Sequence, residues 1–199
     1  KLRIRASIRP GKKYLPSYLI PNYELQVNLL QGHFFNALGK PKEAIASFSA
    51  VQKTKLSMPA NLYVGLATSL LMVGDTEQAR LNVSKALLSD PNSTPGLLLE
   101  IELSKDGLAP EALLLAYQEV QGLSAYSEEA DLAFARHLID SGNAQAVELV
   151  AAMRARRPRN PLLNEYFAQA QFMAGDFEAA FITFNAAQAQ YEEGSDDYN

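Results

Sequence analysis

The sequence predicts an all-α chain, an α-solenoid of antiparallel helix pairs. Gly39, Gly74, Gly107, Gly142 and Gly175 recur at spacings of 35, 33, 35 and 33 residues. On both sides of each glycine, apolar residues return at three- and four-residue steps, the signature of an amphipathic helix. Most of the 10 prolines fall between the predicted helices. A period of this length marks a repeat array, in which each unit buries its apolar face only against its neighbours.

The first segment, residues 1–22, stands apart. Lys1, Arg3, Arg5, Arg9, Lys12 and Lys13 crowd its first 13 positions. Leu2, Ile4, Ala6 and Ile8 alternate with Arg3, Arg5, Ser7 and Arg9, which is strand periodicity, and Pro10, Pro16 and Pro21 keep the chain irregular. Such a basic arm either touches an acidic partner or connects to an upstream domain, and the connection is the simpler expectation.

Five units follow, at about 23–58, 59–93, 94–127, 128–160 and 161–191. The first runs through Tyr23, Leu25, Val27, Leu29, Leu30, Phe34, Phe35 and Leu38, turns at Gly39-Lys40-Pro41, and returns through Ala44, Ile45, Phe48 and Val51. The second carries Leu62, Tyr63, Leu66, Ala67 and Leu70 before Gly74-Asp75, then Ala79, Val83, Ala86 and Pro91. The fifth repeats this with Leu163, Phe167, Ala168 and Phe172 before Gly175-Asp176, then Ala179, Ala180, Phe184 and Ala187. Glycine at the turn takes a backbone conformation that other residues resist and stops the first helix. Asp75 and Asp176 are placed to cap the second helix. Pro91 and Pro158 end second helices and redirect the chain. Residues 192–199 form an acidic tail containing Glu192, Glu193, Asp196 and Asp197.

The pattern resembles the tetratricopeptide repeat. In the second unit Tyr63, Leu66, Ala67, Leu70, Gly74, Ala79, Val83, Ala86 and Pro91 fall at that family's spacings, as do Gly32, Phe35, Gly39, Ala44, Phe48 and Val51 in the first and Phe167, Ala168, Gly175, Ala180, Phe184 and Ala187 in the fifth. The third unit keeps Leu99, Leu103, Gly107, Ala112 and Ala116, but Glu100 replaces the small residue and Pro110 opens the second helix. The fourth keeps Phe134, Ala135, Leu138 and Gly142, yet is one residue short before Ala146, Val150, Met153 and Pro158.

The resemblance implies a right-handed superhelix whose concave face is lined by the first helix of each unit. Its groove positions here would be Leu29, His33 and Asn36; Val64, Thr68, Leu71 and Met72; Leu97 and Ile101; Leu132, Arg136 and Ile139; and Glu165, Gln169 and Phe172. Relatives that clamp a C-terminal carboxylate need Lys, Asn and Arg at fixed groove positions, and apolar residues stand there in most units. The expected occupant is therefore a protein partner presenting an amphipathic helix or an extended apolar peptide, with Met72 and Met173 as adaptable contacts.

Composition narrows the rest. The 199 residues contain no cysteine, which excludes disulfides, cysteine nucleophiles and thiolate metal sites. The net charge is only -4. No apolar run is long enough to span a bilayer. His33 and His137 are the two histidines, more than 100 positions apart, and no HExxH, GxSxG or phosphate-binding glycine loop occurs. Neither a catalytic centre, a metal nor a cofactor is expected. Arg154, Arg156, Arg157 and Arg159 end the fourth unit; they read as charges complementing a helix C-terminus, with nucleic-acid contact as the alternative. Phe177, Phe181 and Phe184 give the last helix more apolar surface than a terminal helix needs, a hint of a homodimer. The expectation is a non-catalytic scaffold, with a bacterial periplasm or envelope setting favoured over cytoplasm. The alternative is the C-terminal docking domain of a larger enzyme such as a peptidase.

Overall fold

A computed structural model describes residues 23–52, 59–123 and 127–196, with side chains described to Gln190. The basic arm and its strand-like alternation lie outside these residues, as do the side chains of the acidic tail.

Among the described residues, ten helices form five consecutive antiparallel pairs: α1 (Tyr23–Ala37) with α2 (Pro41–Gln52), α3 (Ala60–Met72) with α4 (Thr76–Ser89), α5 (Thr94–Ser104) with α6 (Pro110–Leu123), α7 (Glu128–Asp140) with α8 (Ala146–Arg156), and α9 (Pro161–Met173) with α10 (Phe177–Asp196). No strand occurs among the described residues. The helix starts follow local chemistry. Pro41, Pro110 and Pro161 occupy first helical positions, where a missing N–H costs nothing. Asp75 Oδ1 accepts from the Gln78 N–H (3.1 Å), and Asp176 Oδ1 from the Ala179 N–H (3.2 Å), as the spacing after each glycine predicts. Ser127 Oγ and Asn160 Oδ1 cap α7 and α9 in the same way.

Four turns share one geometry. Gly39, Gly74, Gly142 and Gly175 have φ of 67°, 82°, 62° and 86°. The N–H that follows each glycine reaches back to a carbonyl five residues earlier, as from Asp75 to Leu70 (2.9 Å) and from Asp176 to Gln171 (3.0 Å). The third unit departs. α5 stops at Ser104, and Lys105–Gly107 forms a short 3₁₀ turn closed by the Leu108 N–H on the Lys105 carbonyl (3.2 Å). Gly107 is not in the left-handed region, so this glycine, third in the series, marks a turn of a different kind.

The core is a row of clusters between pairs. Ala44, Phe48, Val51, Leu62 and Leu66 join the first pair to the second. Ala67, Ala79 and Val83 are covered by Leu99 and Leu103 of α5. Ile101, Val120 and Ala130 join the third pair to the fourth, and Phe134, Leu138, Val150, Met153 and Leu163 join the fourth to the fifth. Phe48 is fully buried, a contribution of roughly 2–3 kcal/mol. Its ring lies in a slot left by Gly32 of α1 and Gly65 of α3, where an added Cβ would come within 2.4 Å and 2.5 Å of it.

Candidate partner-binding groove

Each first helix packs against the first helix of the pair before it: α3 on α1, α5 on α3, α7 on α5 and α9 on α7. Successive second helices do not pack on one another to any comparable extent. An array whose first helices touch while its second helices splay is curved with the first helices inside. The first helices, which hold the fifteen positions expected to line a groove, therefore lie on the inner side.

The residues divide by what already holds them. On α1, Leu29 packs on the Phe48 cluster. The His33 ring meets Phe48 edge-on, with centroids 5.1 Å apart, and burial lowers its pKa from the ordinary 6.5, which favours the neutral ring. Asn36 Nδ2 donates to the Gly65 carbonyl (2.8 Å), and Ser69 Oγ donates to Asn36 Oδ1 (2.6 Å). His33 and Asn36 thus tie α1 to its neighbours, and the structure gives both a packing task. Ile101 is only 6% exposed and belongs to the core between the third and fourth pairs, so it offers a partner almost nothing.

The remainder stays half open. Val64 and Leu71 on α3, Leu97 on α5, and Leu132 and Ile139 on α7 are each partly buried apolar side chains. Met72 is exposed beside them. Polar positions are satisfied locally: Thr68 Oγ1 donates to the Val64 carbonyl (3.0 Å), Gln169 Nε2 to Glu165 Oε1 (3.2 Å), and Arg136 pairs with Asp140 at 3.4 Å. The Thr68 and Gln169 bonds run along single helices, while Arg136 also faces Tyr166 of α9, and the apolar residues set the character of the rest of the face.

At the far end the face opens into a hollow of about 580 Å³. Ile139, Gln169 and Phe172 meet there with Met173, Phe177, Phe181 and Phe184. Phe172 and Phe177 contact edge-on with centroids 5.1 Å apart. The last three phenylalanines belong to a second helix, which the groove positions exclude; their crowding on one helix was the available signal.

The arginine run is placed by a buried acid. Asp131 of α7 is 1% exposed; Arg156 Nη2 reaches its Oδ1 at 2.6 Å, Arg157 Nε its Oδ2 at 3.3 Å, and Gln121 Nε2 its Oδ1 at 2.9 Å. Arg154 lies over the Phe167 ring, 5.0 Å from its centroid, and Nε donates to Asn164 Oδ1. Arg156 and Arg157 therefore hold the end of α8 to α7 within the fourth unit, and Arg154 ties that unit to the fifth, beyond any service to the end of α8. His137 stacks on Tyr117 with centroids 4.7 Å apart, and burial lowers its pKa while Asp140 acts the other way. No group of three His, Asp or Glu side chains among the described residues is arranged to hold a metal, and no described helix is long and apolar enough to cross a membrane.

No protein-family model matches the chain, and no curated protein sequence does. Solved structures match its fold. A thermophilic TPR protein of Thermus thermophilus aligns over 86% of this chain and 94% of its own, with 17% identity and a TM-score of 0.68. A tetratricopeptide repeat protein of Parabacteroides merdae aligns over 86% of this chain and 66% of its own, with 18% identity and a TM-score of 0.62. A MamA protein aligns over 83% of this chain and 96% of its own, with 16% identity and a TM-score of 0.60. With five antiparallel pairs, four left-handed glycine turns and first helices inside, the chain has the fold of a tetratricopeptide-repeat array.

Proposed function

We propose that the chain is a non-catalytic protein-interaction scaffold whose inner face holds an amphipathic helix or an extended apolar peptide of a partner. One observation carries this reading: Val64, Leu71, Leu97, Leu132 and Ile139 stay partly open along touching helices. Side chains of this kind gain further burial only from a guest, at about 25 cal/mol for each Å² covered. The polar residues between them already have local partners, so they ask little of the guest beyond shape. A bacterial envelope assembly, such as a pilus, secretion or outer-membrane system, is the setting we favour. The lack of cysteine suits an oxidising compartment, and the solved structures of stated organism are bacterial.

The test is capture from a host extract by the wild type and by a Leu97→Glu, Leu132→Glu double variant. Partners held by the wild type are expected to be lost at least tenfold from a double variant of unchanged helical circular dichroism. Because both leucines also touch core clusters, Met72→Glu, at an exposed position, serves as a second variant with a smaller loss. Undiminished capture by both variants contradicts the groove.

A further inference from the structure

Among the described residues, the two ends of the array expose apolar faces that complement one another. The 35-residue step from Gly39 to Gly74 carries Leu30 onto Gly65 and Phe34 onto Ser69. Both of those α3 residues face the preceding pair, beside Leu62 and Leu66 of the shared cluster. A Cβ on Gly65 would strike Phe48 and His33, and Ser69 bonds to Asn36. In α9 the same register falls on Tyr166 and Ala170, which pack on the cluster shared with α8. In α1, with no described pair before it, Leu30 is 69% exposed and Phe34 60%.

The other end mirrors this. The 101-residue step from Gly74 to Gly175 carries Ala67, Ala79 and Val83 onto Ala168, Ala180 and Phe184. In the second pair these residues are roofed by Leu99 and Leu103 of the next first helix. In the last pair the corresponding ground is the open hollow, and Phe177 and Phe181 at its rim are 62% and 69% exposed. Size matches as well as register. α3 presents glycine and serine where Phe48 has already filled the space, whereas α1 presents leucine and phenylalanine, the bulk that an unfilled hollow needs.

Charge points the same way. Residues 1–22 carry six basic and no acidic residues, while residues 160–199 carry seven acidic and no basic ones. Each second helix in the array ends near the start of the next first helix, so a copy continuing the array would bring the sequence before α1 beside the end of α10.

We propose that a second copy of this chain docks head to tail, laying its α1 across α9 and α10 as α5 lies across α3 and α4. The hollow shares Ile139, Gln169 and Phe172 with the far end of the groove, but the proposal rests on the exposed ends of the array and not on a guest held along α3, α5 and α7. The two patches are different surfaces, so the contact is heterologous and extends as a series or a ring rather than closing as a symmetric dimer.

Mixing of end-blocked variants of the full chain tests this by light scattering over a range of concentrations. Phe34→Glu blocks the head and Phe181→Glu blocks the tail, both at exposed positions. The wild type is expected to grow with concentration and each variant to stay monomeric. A 1:1 mixture is expected to give a species of twice the monomer mass, since one junction remains intact. Circular dichroism confirms folding, and Leu30→Glu with Phe177→Glu forms a second pair should either variant unfold. A wild type that stays monomeric throughout, either variant associating alone, or a mixture that stays monomeric would each overturn the proposal.

Discussion

Phe48 shows how single residues shape the array. Its ring is fully buried against two glycines on successive first helices, so α1 and α3 approach as closely as they do because neither carries a Cβ there. Gly65→Ala is expected to destabilise by about 2 kcal/mol, because the buried ring has no room to retreat. Gly74→Ala has open space around the added carbon and is expected to lose about 1 kcal/mol through its left-handed backbone alone. Denaturant titration of both variants separates the two causes, and equal losses would count against this reading of the slot. Gly32 and Phe48 were legible as repeat positions; that His33 and Asn36 also tie α1 to its neighbours was not. A periodic pattern says which way a side chain points but not whether a neighbouring unit has already claimed it.

Helices and their junctions explain why the third and fourth units are irregular. α3 buries five residues, whereas α6 buries Val120 alone. The sequence shows this weakness in Glu100 and Pro110; the fourth unit, one residue short before Ala146, still buries five residues of α7. The compensating network was harder to read. Asp131 and Asn164 lie 11 residues before their turn glycines, the register at which the second unit has Tyr63. Polar residues at that core position are the signal, and Arg154, Arg156 and Arg157 are the response. Asp131→Asn keeps the shape but removes the charge facing two guanidinium groups. Because those groups are partly exposed and can rehydrate, the expected loss is about 2 kcal/mol, below that for a fully buried pair. Thermal unfolding checks it: an unchanged midpoint would return the arginines to the helix end alone.

Across the whole molecule, repetition made the architecture readable and the function only outlined. Five glycines at 33- and 35-residue steps specify stacked pairs, because each unit lacks a core of its own. What occupies the inner face depends on a second molecule, and no single chain encodes its partner's sequence. The face itself specifies the chemistry, an apolar line on α3, α5 and α7. Amide hydrogen exchange on the full chain, bound to a peptide selected from a displayed library of amphipathic helices, tests that claim most directly. Protection concentrated on α3, α5 and α7, around Val64, Leu97 and Leu132, is the predicted result; protection confined to α2, α4 and α8 on the outer side would contradict it.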